Sequence, residues 1–256
     1  GVQDTININI QIMDTLKKGL YIISTPIGNL EDISFRAKKI LDMVDFIICE
    51  NPVHSLKLLN KLGIKKKLYP LHDYNENILI KRIEKFQNNS SIALISDAGS
   101  PLISDPGYNL VLDYIKKNLM ITTIPGPSSV ISALQLSGLP IYNFKFFGFA
   151  PKNYAAIITL IEEIKNLQST SILFVSGSRL INFLTTLLEK DIDRTIAVCK
   201  EITKKNEKVF RGKANKIINN ISVDSNNLKG EFVVVIEGKK KKSSKVVEVA
   251  IRTQMR

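Results

Sequence analysis

Cysteine is scarce in this chain of 256 residues: only Cys49 and Cys199 occur, each inside an apolar run. No disulfide framework is expected from two such residues, and a reducing, cytoplasmic setting fits them. Histidine is equally scarce, with only His54 and His72. Two Cys and two His scattered along the chain do not make a structural zinc site, so no metal is expected. Long apolar runs are missing too. None reaches the roughly 20 residues that a membrane-spanning helix needs, so no membrane partner is expected. Residues 1–18 lack a basic start followed by an apolar stretch, so no secretory signal is expected there. The strings G-x-G-x-x-G and G-x-x-x-x-G-K-[ST] do not occur, which makes NAD and ATP poor candidates. No internal repeat is visible.

What is present is ordinary for a globular protein, with 44% hydrophobic and 23% charged residues, enough to build a sizeable core. The charge balance is less ordinary. Lys and Arg number 36 against 24 Asp and Glu, a net charge of +12. Half of that excess falls after residue 238, where seven basic residues face the single Glu248. A basic surface of this size suits a polyanion such as nucleic acid; a solvated lysine-rich tail is the plainer alternative for the last residues.

Along the chain, apolar bursts alternate with helical periodicity and with Gly, Pro and Asp punctuation. Ile6, Ile8, Ile10 and Ile12 alternate, so the leader over 1–18 is either one strand or a loose segment. From residue 19 the pattern predicts strands over 20–25, 46–49, 91–96 and 120–124. Between them it predicts helices over 32–44, with Asp32 as the cap, over 56–62, ended by Gly63, and over 75–86. A helix is expected over 128–136. A junction is expected over 138–143. Beyond it, strands over 145–149, 171–175, 195–199 and 231–236 enclose helices around 157–164, 179–188 and 214–221. Repeated strand, loop and helix imply a parallel sheet with crossover helices. The fold class is therefore α/β, in two α/β domains over 19–140 and 141–238, with a basic tail over 239–256. Phe144, Phe146, Phe147 and Phe149 are read as core.

Three loops stand at the carboxyl ends of predicted strands, where open α/β sheets bind ligands. They are Thr25-Pro26-Ile27-Gly28-Asn29-Leu30, Asp97-Ala98-Gly99-Ser100-Pro101-Leu102 and Pro125-Gly126-Pro127-Ser128-Ser129. Glycine lets a backbone approach a ligand, and proline fixes the loop's shape. Ser128 and Ser129 stand at a helix start, whose free N–H groups can hold an anion. Any one such loop is an ordinary turn. Three of them after three strands point to a small-molecule site.

The strings Pro26-Ile27-Gly28-Asn29-Leu30-Glu31-Asp32-Ile33-Ser34, Ser96-Asp97-Ala98-Gly99-Ser100-Pro101-Leu102-Ile103-Ser104-Asp105-Pro106-Gly107 and Pro125-Gly126-Pro127 carry more than a loop reading. So do Leu71 to Glu76, Ala133 to Pro140, Lys200 to Lys204 and Lys229 to Glu231. In this order and spacing, over about 19–238, they resemble the bacterial small-subunit ribosomal RNA (cytidine-2′-O-)-methyltransferases of the tetrapyrrole methylase superfamily. The resemblance implies a tetrapyrrole-methylase-like fold of two α/β domains with a ligand cleft between them. It implies S-adenosylmethionine (SAM) as cofactor, small-subunit (16S) ribosomal RNA as partner and a homodimer. Position by position, it implies SAM contacts at Pro26 and Gly28, at Ser100, Pro101 and Ile103, and at Ser128 and Ser129. It implies RNA-facing or catalytic sites at Glu50 and His54 and at Arg179, Lys200 and Lys204.

Some segments depart from the family pattern. Glu50-Asn51-Pro52-Val53-His54 stands where the family has Glu-Asp-Thr-Arg-His. Val175-Ser176-Gly177-Ser178-Arg179 stands where it has Glu-Ser-x-His-Arg. Lys200 replaces an arginine. Two other functions therefore stay open at this point: a small-molecule methyltransferase of the tetrapyrrole type, and a non-catalytic rRNA-binding assembly protein. Candidates for a general base are Glu50, His54, His72 and Asp73, all near strand ends. Asp97 is expected to cap its own loop.

Overall fold

The computed structural model describes residues 15–240. The leader before residue 15 and the basic tail from residue 241 lie outside the described residues. The chain divides into two compact units between Pro127 and Ser128.

In the first unit the elements run β1 (Gly19–Ile23), α1 (Phe35–Met43), β2 (Phe46–Cys49), α2 (Pro52–Lys61), β3 (Leu68–Pro70), α3 (Glu76–Ile83), β4 (Ser91–Ile95), α4 (Tyr108–Lys116) and β5 (Ile121–Ile124). The five strands form one sheet in the order β3-β2-β4-β1-β5, and every pair is parallel. The near-continuous apolar runs follow from this geometry, because a strand alternates its side chains between two covered faces. Tyr21, Ile23, Ile47, Cys49, Ala93 and Ile95 form one buried layer with Ala37, Ile40 and Leu41 of α1 and Leu59 of α2. Leu20, Ile48, Ile92 and Leu94 form the opposite layer with Leu79 and Ile83 of α3 and Leu110 and Tyr114 of α4.

Helix starts depend on side-chain caps. The sequence predicts Asp32 as the cap of the first helix; the structure uses Ser34, whose hydroxyl accepts the Ala37 N–H at 3.0 Å. Asp32 instead ends a short 3₁₀ turn over Leu30–Asp32, where Asn29 accepts the Glu31 N–H at 3.1 Å. The second helix starts earlier than predicted. Asn51 caps it, accepting the N–H groups of Val53 and His54 at 3.1 and 3.3 Å, and Pro52 occupies the first helical position, where its missing N–H costs nothing.

The second unit holds α5 (Ser129–Ser137), β6 (Phe144–Phe149), α6 (Tyr154–Asn166), β7 (Thr170–Ser176), α7 (Gly177–Glu189), β8 (Ile196–Lys200), β9 (Lys208–Gly212), α8 (Ala214–Ser222) and β10 (Glu231–Ile236). Its sheet order is β6-β7-β10-β8-β9. Only β6 and β7 are parallel; the other pairs are antiparallel. Ile157 and Ile161 of α6, Phe183 and Leu187 of α7 and Ile217 of α8 pack with Leu173, Val198 and Val234 in one core. Helix α5 packs on strands β8 and β10. Its Ala133 carbonyl lies 3.9 Å from the Cys199 Sγ. Val130, Ala133 and Leu134 are buried. This packing explains why the units divide before α5, whereas the sequence places the junction at 138–143. Gly138 does end the helix, in the left-handed conformation (φ 70°), but the helix before it belongs with the second sheet.

The phenylalanines of β6 depart from the core expectation. Phe147 packs against the core, but Phe144 is 39% and Phe149 68% exposed. Among the described residues β6 is an edge strand with a neighbour on one side. Phe146 and Phe149 both set their rings edge-on to Phe174, at 5.1 and 5.0 Å. Among the described residues, no helix is long and apolar enough to cross a membrane.

Candidate active site

Strands β4, β1 and β5 are adjacent and parallel, so the loops that follow them leave the sheet at the same end. The structure ties these loops to one another. Thr25 and Gly99 exchange two backbone hydrogen bonds of 3.0 Å, N–H to carbonyl in each direction. The hydroxyls of Ser24 and Ser100 lie 3.0 Å apart, and the Ser100 hydroxyl donates to the Pro127 carbonyl at 3.3 Å. Ser96 donates to the carbonyls of Ala98 and Gly99. Gly126 passes so close to β1 that a Cβ there would sit 3.0 Å from the Ser24 Cβ. The backbone is also forced: Gly99, Leu102, Ser104 and Gly107 all have positive φ, at 80°, 73°, 65° and 127°. Left-handed Leu and Ser so close together are costly and persist only where the surroundings hold them. At the start of α5, the Ser128 hydroxyl accepts the Ile131 N–H at 3.4 Å.

Beside these loops, at the ends of β2, β3 and β4, carboxylates accumulate. Burial raises the Glu50 carboxyl above its ordinary range; Asp97 and Asp73 push it further, and His72 opposes them. Asp105 is pushed up to about 6, first by burial and then by the charges of Glu50 and Asp97, against a partly compensating bond from Ser96. The Asp97 carboxylate accepts the Asn51 N–H at 3.2 Å, so it ties the β4 loop to the end of β2 rather than capping its own loop. The Asp105 carboxyl sits higher in the folded chain than its ordinary value of 3.8. It therefore opposes folding above about pH 6, and the penalty fades as pH falls toward about 4. Asp105→Asn should melt a few degrees above wild type at about pH 8, and the two melting curves should converge by about pH 4. A gap that does not change with pH would assign the effect to something other than this carboxylate.

The comparisons with known proteins bear on this arrangement. The family described as Tetrapyrrole (Corrin/Porphyrin) Methylases matches residues 19–218. The chain belongs to this family. Within it, the chain is 46% identical over 228 residues to the ribosomal RNA small subunit methyltransferase I of Rickettsia prowazekii (strain Madrid E), covering 87% of this chain and 79% of that one. It is 39% identical over 223 residues to the protein of the same name from Halalkalibacterium halodurans, covering 87% and 76%. The uroporphyrin-III-C-methyltransferase from Thermus thermophilus shares the fold, with a TM-score of 0.59, 18% identity and coverage of 86% of this chain and 94% of that one.

As a tetrapyrrole methylase family member, the chain places its implied residues unevenly. Pro26, Gly28, Ser100, Pro101 and Ile103 lie on the first two of the interlocked loops, with Gly28 and Ile103 exposed and Pro101 buried. Ser128 and Ser129 follow the third. Glu50 faces other carboxylates, while His54 is exposed on α2. His72 and Asp73 sit in a turn held by Asn75, whose side chain accepts the His72 N–H at 2.7 Å. In the second unit, Arg179 donates to the Ala150 carbonyl at 3.2 Å, Lys200 is buried, and Lys204 is ion-paired with Glu201 and Glu231 at 3.2 and 2.7 Å. Asp105 is the group that sequence reading misses. It sits inside the Ser96–Gly107 string, but its unusual state depends first on burial and then on Glu50, a neighbour 55 positions away.

Proposed function

We propose that this protein is a SAM-dependent rRNA methyltransferase that methylates the ribose 2′-oxygen of a cytidine in small-subunit (16S) ribosomal RNA. The observation that carries this reading is the 46% identity, over 87% of the chain, to a ribosomal RNA small subunit methyltransferase I. When bound, SAM supplies a methyl group on a positively charged sulfur, open to displacement by an oxygen nucleophile. The three loops fit such a cofactor. Gly28 and Gly126 are exposed at strand ends, where bare backbone can meet a ligand, and Ser100 offers a hydroxyl. The first turn of α5, at Ser128 and Ser129, offers N–H groups to a carboxylate.

The chain's main task in such a transfer is alignment. A ribose hydroxyl is a weak nucleophile and needs somewhere to leave its proton. A carboxyl raised toward neutrality by burial is suited to take it, which favours Asp105 and Glu50 over the exposed His54. The departures at Asn51 and Pro52 do not weaken an enzymatic reading. Asn51 caps α2 as an aspartate would, so the backbone leaving Glu50 keeps its course. The net charge of +12 suits RNA better than a tetrapyrrole.

We further infer a cytoplasmic homodimer acting on the RNA within the small subunit. The test uses labelled SAM and unmodified small subunits, followed by mapping of the labelled nucleotide and light scattering of the enzyme. Label on a cytidine ribose and a mass of about twice 28.7 kDa are expected. Label confined to a small molecule, or no transfer at all, would overturn the reading.

A further inference from the structure

A cavity of about 550 Å3 opens in the second unit at the carboxyl end of β8. Lys200, Lys208, Lys229, Asn226 and Asn227 line it. Lys200 is only 7% exposed. Among the described residues no carboxylate oxygen lies within 4.0 Å of its Nζ, and the ammonium donates to the Asn226 carbonyl. Burying an ammonium opposite a single neutral acceptor is unfavourable unless an anion completes it. The two exposed lysines at the mouth are in the same position. Lys208 donates to the Asn227 side-chain oxygen at 3.4 Å, and Lys229 to that of Asn226 at 3.0 Å.

Glu201, Glu207 and Asp224 line the cavity as well, and their carboxylates are otherwise engaged. Glu201 accepts from Lys204 at 3.2 Å and from the Glu231 N–H at 2.8 Å. Glu207 accepts the Thr203 N–H at 2.6 Å, and Asp224 accepts the Asn226 N–H at 2.8 Å. The acids thus hold the loops in place, and among the described residues none of them is within ion-pair distance of Lys200, Lys208 or Lys229, although the Lys200 charge acts on Glu201 from further away. The loop that follows Lys200 is itself strained, with Glu201 and Thr203 left-handed at φ 50° and 68°.

The geometry points to a phosphate site: the cavity takes a phosphodiester of the RNA substrate, met from inside by Lys200 and at the mouth by Lys208 and Lys229. This rests on the rRNA reading above and changes its residue assignment. Lys204, implied by family resemblance, is already neutralised by Glu201 and Glu231. Lys208 and Lys229 take its place.

The experiment measures binding of a labelled small-subunit rRNA fragment across salt concentrations, together with melting temperature and methyl transfer. Each lost phosphate contact should flatten the slope of log K against log salt by about 0.7. Lys208→Gln/Lys229→Gln should therefore flatten it by about 0.7, and Lys208→Arg/Lys229→Arg should restore it. Lys200→Met should weaken RNA binding about tenfold while raising the melting temperature, because a buried charge with no ion-pair partner among the described residues is removed. A Lys200 that merely caps the 224–229 turn would instead lose stability on that change, and such a result overturns its role. An unchanged slope in the glutamine variant, with methyl transfer intact, overturns the cavity and spares the rRNA reading. Absence of both RNA binding and methyl transfer in wild type overturns the reading and the cavity with it. In a parallel arm with inorganic phosphate, lysine-dependent binding without any change in the RNA slope assigns the site to a free phosphate and overturns the phosphodiester.

Discussion

Gly99→Val should weaken SAM binding by at least about tenfold while leaving the protein folded. Gly99 sits at φ 80°, a region that costs a β-branched residue dearly. A Cβ added there would lie 3.1 Å from the Ile27 side chain and 3.6 Å from the Pro127 carbonyl oxygen. The two neighbours belong to the other two loops, so neither can retreat without moving its own loop. Relief by backbone rotation would break the paired bonds between Gly99 and Thr25. It would also displace the adjacent Ser100, whose hydroxyl contacts both Ser24 and Pro127. One substitution thus distorts the three strand ends together, at a cost of about 1–3 kcal/mol, or about tenfold to a hundredfold in affinity. Calorimetry with SAM measures it directly. An affinity within about twofold of wild type, in a variant that keeps its melting temperature, would remove these loops from the cofactor site.

The same loops show what a sequence can reveal. β1, β2 and β4 are legible because both of their faces are buried, which leaves unbroken apolar runs. The Gly- and Pro-rich strings after them are legible because so few residues tolerate those backbone angles. Other elements are hidden for physical reasons. β9 reads Lys-Val-Phe-Arg-Gly; it is an edge strand with a single deeply buried residue, Phe210, so no apolar run announces it. α4 follows directly on the Ser96–Gly107 string, and its start at Gly107 has no side-chain cap to mark it. Helix α5 is visible as a helix, but its allegiance is not: only the packing of Ala133 and Leu134 assigns it to the second unit. At the site, Asp105 becomes unusual first through burial and then through Glu50 and Asp97, and Lys204 becomes unavailable through Glu201 and Glu231. Such pairings depend on folding, and residue type alone does not encode them.

Gly177→Ala should destabilise the protein by about 3 kcal/mol or more. Gly177 opens α7 at its first position. A Cβ built there would lie 1.9 Å from the Leu228 carbonyl oxygen, 3.0 Å from the Leu228 carbonyl carbon and 3.1 Å from the Phe232 ring. A backbone carbonyl cannot rotate aside as a side chain can, so either α7 or the turn over Ser225–Leu228 must shift. Helix α7 is anchored by Leu180, Phe183, Leu184 and Leu187, all buried in the core of the second unit. The turn is the weaker party, and it carries Asn226 and leads to Lys229 at the cavity mouth. Loss of stability should therefore come with a flatter salt dependence of RNA binding. Gly63→Ala separates the two ways in which glycine can matter. Gly63 has φ 73° but, among the described residues, nothing within 4 Å of its Cβ position, so that variant incurs only the backbone strain, about 1–2 kcal/mol. Denaturant unfolding of the two variants should rank Gly177→Ala clearly below Gly63→Ala. A loss no larger than that of Gly63→Ala would mean that the close approach of Leu228 to Gly177 relaxes at little cost.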